Sequence, residues 1–324
     1  MDSPLTEMTA VITGASSGVG LQTAIQLARR GDYKKVVLGV RNIDKAVAVI
    51  PADISETVIF LQLDLSRFDS VERFVEDLKA KGVGSIDRLV LNAGIKDYMF
   101  KDRTKTVDGF DEIWQVNYLS HFYLAMLVQP LMGMNARIVC LSSVMHWIGE
   151  TSRFTEMVRP ATAGFKYYSD SKLAMGILAF ELDRRRGKRN VLAIAANPGA
   201  VASDLWKTWF SGLIGPIVHA IFRILLLTTA DGAKTSVYAC TSADIEHCEY
   251  LSPYGQIKGM GWVFAFLSDL YWHKVASKEK ALIGECSRDT KSIRNGNSLW
   301  LLSLEALAMS GRSDRIHAII DEYL

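Results

Sequence analysis

The feature that most constrains this chain is the turn Thr13-Gly14-Ala15-Ser16-Ser17-Gly18-Val19-Gly20, set between an apolar run and an amphipathic one. Glycine lets a backbone reverse sharply and lets another group approach the peptide units closely. The run before the turn, Thr9–Thr13, reads as a buried strand, and Gly20–Arg30 reads as the helix behind it. Such a unit presents unpaired N–H groups and the positive end of a helix dipole, which is what a pyrophosphate requires. A glycine turn alone says little, because any tight strand–helix turn favours glycine. Here strand, spacing and helix agree, so Thr13, Gly14, Ser16, Ser17, Gly18, Val19 and Gly20 are expected to form a dinucleotide cradle.

The alternation continues along the chain. Lys35–Val40, Thr57–Gln62, Arg88–Leu91, Ala136–Leu141 and Val191–Ala195 are short Val/Ile/Leu-rich runs separated by amphipathic stretches. Continuous apolar runs imply strands covered on both faces, hence a parallel sheet between helices. Right-handed crossovers then predict an α/β, doubly wound Rossmann fold with a mostly parallel sheet of about seven strands and helices on both faces. With no repeat or low-complexity linker, the chain reads as one unit. Its cofactor-binding half covers about 8–135, its catalytic and substrate half about 136–277, and a C-terminal helical lid or extension about 278–324. That extension is expected to pack across the sheet edge.

The second strand ends Gly39-Val40-Arg41-Asn42, where a site for NAD would place an acid to hold the ribose 2′-hydroxyl. No acid is present, and the planar fork of Arg41 suits a 2′-phosphate, so NADP(H) is the expected cofactor, with Arg41 and Asn42 at its ribose. A solvated arginine at a strand end is the plainer alternative. Asp64, with Leu65 beside it, is placed to meet the adenine, and Asn92-Ala93-Gly94 gives a narrow passage beside the adenine ribose.

Formal net charge is +2 with acids and bases interleaved, which gives no footprint for nucleic acid. Cys140, Cys240, Cys248 and Cys286 form no CxxC pair and no His/Cys ligand spacing, so neither a metal site nor a disulfide framework is expected, and an intracellular, reducing compartment fits. No basic region followed by an apolar one marks a signal peptide, and no stretch reaches the ~18 apolar residues of a membrane span. The expected location is cytoplasmic or peripheral to a membrane.

Together these pieces resemble the short-chain dehydrogenase/reductase family over about residues 8–250. The motifs occur in order: Thr13–Gly20, Asp64, Asn92–Gly94, Tyr168-Ser169-Asp170-Ser171-Lys172, and Pro198-Gly199. The spacing between Ser143 and Tyr168, and Gly232-Ala233-Lys234-Thr235-Ser236-Val237-Tyr238, are similar to the retinol-dehydrogenase-like branch, whose members act on bulky apolar alcohols and aldehydes, often at membranes. The resemblance implies a catalytic set of Asn117, Ser143, Tyr168 and Lys172. Hydride transfer makes or consumes an alkoxide, so a proton must be at hand. A tyrosine titrates near ~10, and a lysine ammonium ~4 Å away in a shielded site lowers that value. Tyr168 and Lys172 are four apart, on one face of a helix. Lys172 would also bind the nicotinamide ribose, Ser143 the substrate oxygen, and Asn117 a helix backbone and a relay water. Ser142 rivals Ser143, which is chosen by family position. The stretch Pro198-Gly199-Ala200-Val201-Ala202-Ser203 ends in serine where the family usually has threonine, and keeps the hydroxyl expected to bond the cofactor.

On the substrate side, Val144, Met145 and His146 follow the catalytic serine. Leu205–Leu227, with Trp206, Trp209 and Phe210, lies where the family builds its lid. That segment reads as a pocket wall for a bulky apolar substrate, a patch resting on a membrane, a subunit interface or a core helix. In the family, helices such as 108–128 and 168–186 commonly pair subunits, which makes a homodimer an expectation. Two other functions fit parts of the pattern: a light-dependent protochlorophyllide reductase, and a non-catalytic NADP(H)-sensing module. The first is opposed by Gly94, Ser143 and Ala200, the second by the retention of both Tyr168 and Lys172.

Overall fold

A computed structural model describes residues 7–96, 104–158, 167–202, 226–253, 282–284 and 286–324. Strands β1 (Met8–Thr13), β2 (Tyr33–Val40), β3 (Val58–Gln62), β4 (Ile86–Leu91), β5 (Met132–Leu141), β6 (Leu192–Ala196) and β7 (Tyr250–Ser252) form one sheet in the order 3-2-1-4-5-6-7. All seven run parallel, and a two-residue strand β8 (Leu282–Ile283) closes the edge antiparallel to β7. The expected doubly wound sheet is therefore present. β5 begins at Met132 rather than Ala136, and Asn135, at φ 56°, sits where its register against β4 shifts.

Successive strand residues feed opposite layers. Val11, Val37, Leu89 and Leu91 join a core with α2 (Phe68–Ala80), α3 (Ser120–Leu127) and α4 (Tyr167–Arg184). Ala10, Ile12, Val36, Leu38 and Val90 join a second core with α1 (Gly18–Ala28) and α5 (Thr229–Thr241). Covering both faces is what removes the polar alternation from the strands. In α2 the buried Phe68, Val71, Phe74, Val75 and Leu78 recur at three- and four-residue steps, each contributing about 1.5–3 kcal/mol by leaving water. The order reverses between β1 and β4, and the crevice at their carboxyl ends is where a doubly wound sheet accepts ligands.

The residues after β8 correct one expectation. Only β8 lies at the sheet edge; a short helix (Arg288–Lys291), α6 (Ile293–Met309) and α7 (Ser313–Tyr323) turn back over the helical layer, α6 against α4 and α7 against α3. Those helices carry apolar residues on their outward faces that must be covered. Trp300 meets Phe122 edge-on with ring centroids 5.1 Å apart, under the Arg185 guanidinium at 4.4 Å. Ser303 accepts from the Tyr118 hydroxyl at 2.6 Å and donates to Leu299 O. Arg312 ties α7 to Glu72 and Asp69 of α2. Every residue of α3 and most of α4 are thus buried within one chain.

Candidate active site

The glycine turn leaves β1 at the switch point. Thr13 Oγ1 receives the amides of Asn92 (2.9 Å) and Ala93 (3.0 Å), and Asn92 Nδ2 donates back to Thr13 O (2.8 Å). The exits of β1 and β4 are thereby locked together. A Cβ on Gly14, at φ +69°, would lie 2.7 Å from Ala93 Cα, so this close approach and this backbone both demand glycine. Behind it, Ser17 makes no side-chain cap on α1, and the first turn holds no acid, so the helix N-terminus is not neutralised by the chain itself. A glycine cradle with an unblocked helix end fits a dinucleotide pyrophosphate. Thr13 itself differs from expectation: its hydroxyl is engaged from behind the turn, where it supports the cradle instead of facing a ligand.

Other expected cofactor residues lie along the same rim. Arg41 is exposed, and its guanidinium has no polar partner among the described residues; Asn42 Oδ1 caps the short helix Ile43–Val47 through Lys45 N at 2.8 Å. Asp64 Oδ1 accepts from Ser66 N (3.0 Å) and Ser66 Oγ (2.7 Å). The Leu65 side chain is buried in the core, which leaves only its backbone toward the rim, and its carbonyl takes the Ser120 hydroxyl. Gly199, at φ +80°, follows Pro198, and Val201 packs with Leu227 and Val19. Ser203, Trp206, Trp209 and Phe210, with nearly all of the expected lid, lie outside the described residues.

Asn117, Ser143, Tyr168 and Lys172 converge. Asn117 stands in a π-helical turn (Gln115–Leu119) between Glu112–Trp114 and α3. Such turns recur at functional positions because they free backbone groups from the regular ladder. Its side chain grips Ile95 N (2.7 Å), Ile95 O (2.9 Å) and Ser171 Oγ (3.0 Å), fastening the segment after Gly94 to α4. A Cβ on Gly94 would sit 3.4 Å from both Asn117 Oδ1 and Lys172 Nζ. Ser143, two residues past the end of β5, has its hydroxyl close enough to the Tyr168 phenol to favour the phenolate, whereas the Ser142 hydroxyl is turned inward to Lys172 O at 2.9 Å. The serine facing the tyrosine is therefore Ser143.

Burial pushes Tyr168 up to about 12, opposed by the Ser143 hydrogen bond, and draws Lys172 down to about 8. The expected lowering of the phenol by Lys172 is not produced by the protein's own groups. The ammonium is turned to Leu141 O at 3.0 Å and lies 5.7 Å from the centroid of the Tyr168 ring. On the same ring, at 5.4 Å, lies the buried Lys96, which sequence reasoning missed. Asp170, between Tyr168 and Lys172 on α4, is fully buried against Arg153 (2.7 Å) and Glu150 N (2.7 Å), pinning α4 to the segment after β5.

Two buried histidines were not given these roles by the sequence. His121 Nε2 lies 2.9 Å from Thr13 Oγ1, and Nδ1 lies 3.0 Å from Asn117 O. Because two amides already donate to Thr13, its hydroxyl donates to Nε2, so Nδ1 carries the proton and bonds Asn117 O. The signal was present as a histidine four residues after Asn117. His146 was expected beside the substrate. Its ring instead points inward, only 1 % exposed, to Ser143 O, Tyr250 and Ser287 N, while Val144 and Met145 remain half-exposed. Burial draws both histidines down to about 4. A folded value below the unfolded ~6.5 means stability that is full above that pH and is lost as pH falls toward 4, at about 1.4 kcal/mol per pH unit for each ring. Urea midpoints measured from pH 7.5 to 4.5 should fall steeply below 6.5, and His146→Asn should flatten the slope. Equal slopes in the variant and the parent would contradict this assignment.

Among the described residues no helix is long and apolar enough to cross a membrane, and no cluster of three or more potential metal ligands occurs. A family model described as short chain dehydrogenase matches residues 8–213. A WW domain-containing oxidoreductase of Drosophila melanogaster is 34 % identical over 251 residues, 73 % of this chain but 59 % of that protein. Human polyprenol dehydrogenase is 31 % identical over 257 residues, 75 % of each chain, and mouse retinol dehydrogenase 12 is 32 % identical over 242 residues, 73 % of this chain and 74 % of that one. A solved protein of Mycobacterium paratuberculosis superposes with TM-score 0.69 at 28 % identity, covering 95 % of both chains. Motif order, sheet order and these matches agree: the chain belongs to the short-chain dehydrogenase family, in its retinol-dehydrogenase-like branch, and is an oxidoreductase built on a nucleotide-binding Rossmann fold.

Proposed function

We propose that the chain is an NADP(H)-dependent oxidoreductase that interconverts a carbonyl and an alcohol on a bulky apolar substrate, with Tyr168 as proton donor or acceptor. The observation that carries this reading is the meeting of Ser143, Tyr168, Lys172 and Asn117 beside a glycine cradle at the β1–β4 switch point. When bound, the nicotinamide would supply or accept the hydride. The cradle residues 14–20 would hold the pyrophosphate, Asn92–Gly94 the adenine ribose, and Lys172 the nicotinamide ribose. Ser143 would hold the substrate oxygen with a hydrogen bond, and Tyr168 would pass a proton to it. In the reductive direction the phenol starts in the protonated form that its burial favours. An alkoxide is a far stronger base than a phenolate, so the transfer runs downhill once the alkoxide forms.

Arg41 supports NADP(H) over NAD(H): it is an exposed guanidinium at the end of β2 with no polar partner among the described residues, and no acid stands there. Apolar substrate is supported by half-exposed Val144 and Met145 next to Ser143, and by the polyprenol and retinol in the names of two relatives. The test is oxidation of NADPH at 340 nm against all-trans retinal, long-chain aldehydes, steroid ketones and small aldehydes, with NADH in parallel. Turnover confined to bulky apolar carbonyls with NADPH is expected; no turnover despite tight binding would overturn the enzyme reading. Arg41→Ala should raise KM for NADPH about 10–50-fold, the worth of one charged hydrogen-bond pair, and leave KM for NADH within about twofold. Equal changes for both cofactors would remove Arg41 from the 2′-phosphate.

A further inference from the structure

The end of β5 is held by more than the active site requires. Ser143 is extended at φ −160° and ψ 158°, a broad region of backbone space that does not by itself aim the hydroxyl at anything. The hydroxyl accepts from Met145 N at 3.3 Å, and the residue is held at its carbonyl as well. His146 Nδ1 lies 2.7 Å from Ser143 O, and the Tyr250 hydroxyl of β7 lies 3.1 Å from the same oxygen. On the far side of the imidazole, the amide of Ser287 points at Nε2 from 3.1 Å. A backbone amide can only donate, so Nε2 is the unprotonated nitrogen. The ring proton therefore sits on Nδ1 and is given to Ser143 O, and Tyr250, 3.0 Å from a nitrogen that cannot accept, gives its own proton to that carbonyl as well. With the His146 backbone amide, 3.0 Å from the same oxygen, the carbonyl is met by two groups of His146, three residues on, and by one of Tyr250, distant in sequence. The contact at Ser287 comes from the segment after β8, beyond residues 8–213 that match the family model.

We propose that His146 is a positioning residue. Its imidazole, oriented by the Ser287 amide, acts with the Tyr250 hydroxyl to fix the Ser143 backbone so that the serine hydroxyl meets Tyr168. The C-terminal segment is in this way a working part of the active site as well as a cover for the helical layer. The geometry gives the device a direction: losing the Ser287 amide loosens the ring, and losing the ring leaves the Ser143 carbonyl to the His146 backbone amide and the Tyr250 hydroxyl.

This inference rests on the proposed carbonyl–alcohol chemistry for its kinetic readout and on geometry alone for its second one. With any carbonyl that the parent enzyme reduces, His146→Leu should lower kcat about 30–100-fold, since small misplacements of a reacting group cost factors of this size. Dissociation of NADPH should change by less than about twofold. His146→Asn carries a donor near the position of Nδ1 and should recover kcat to within about fivefold of the parent. Ser287→Pro deletes only the amide hydrogen and the hydroxyl at a residue whose φ of −59° already suits proline. It should lower kcat about tenfold, while Ser287→Ala, which keeps the amide, should stay near the parent. The double variant His146→Leu/Ser287→Pro should be no slower than His146→Leu alone. A His146→Leu enzyme that loses thermal stability but keeps its kcat per folded molecule, or fully multiplicative effects in the double variant, would overturn the proposal. Should the parent turn over no carbonyl, a double-mutant cycle in urea stability between His146→Leu and Ser287→Pro decides the matter. Coupling sustains the clasp, and strict additivity ends it.

Discussion

Tyr168→Phe is expected to lower kcat by about 10³-fold or more and to leave NADPH affinity within about threefold. The substitution removes one oxygen and nothing else. The ring is 8 % exposed and keeps its contacts with the ammonium groups of Lys96 and Lys172, so the packing of α4 survives. Ser143 loses its partner but keeps the amide of Met145 at 3.3 Å, which still defines its hydroxyl. The two nearby histidines do not replace the phenol: His146 and His121 are both committed to carbonyls and buried. Single-turnover kinetics with NADPH, set beside a fluorescence titration of NADPH binding, separates chemistry from binding. A variant that retained a tenth of the parent rate would show that the proton comes from elsewhere.

Trp300→Ala should cost about 3–5 kcal/mol, the usual loss when a buried tryptophan is truncated, and lower Tm by about 6 °C for a chain of this length. Trp300 is 5 % exposed and fills the space between α6, Phe122 and the stem of Arg185. Truncation opens a cavity and also removes the face on which the Arg185 guanidinium rests. The neighbouring Leu301 is 65 % exposed and supplies the control, since Leu301→Ala should change stability by less than about 0.5 kcal/mol. Differential scanning calorimetry of the two variants tests whether α6 is docked as described. Equal melting temperatures would mean that it is not.

Much of this architecture is legible in the amino-acid sequence. The strands announce themselves because a parallel sheet covered on both faces leaves no polar alternation, and the glycine turn because Gly14 and Gly20 stand where any Cβ would strike Ala93 or Asn92. Tyr168 and Lys172 were legible as a pair because four residues is one helical turn. The remainder depends on contacts across long sequence separations. β7 and β8 are too short to carry a period, at three and two residues. Nothing local in α6 states whether its apolar stripe faces a sheet edge or α4. A lone histidine reads the same whether it lines a pocket or holds a carbonyl, and His146 was assigned to the pocket because it follows Ser143. The pKa of Tyr168 went astray for a related reason: spacing predicts that Lys172 shares its face, but the direction of the ammonium is set by Leu141 O, which spacing does not contain.

The division of the interior by the sheet has a further consequence, for how this sequence can drift. The glycine cradle is carried by α1, which packs with α5 on one side; Asn117, Tyr168 and Lys172 are carried by helices on the other, beneath α6 and α7. The two compartments share the strands but few side chains, because successive strand residues enter opposite layers. Repacking on the α1 side therefore acts first on the glycine turn and leaves the surroundings of Tyr168 and Lys172 largely as they were, and changes beneath α6 do the reverse. The two layers can in this molecule drift largely one at a time, and His121, which touches both Thr13 and Asn117, is a point where a change in one is felt in the other.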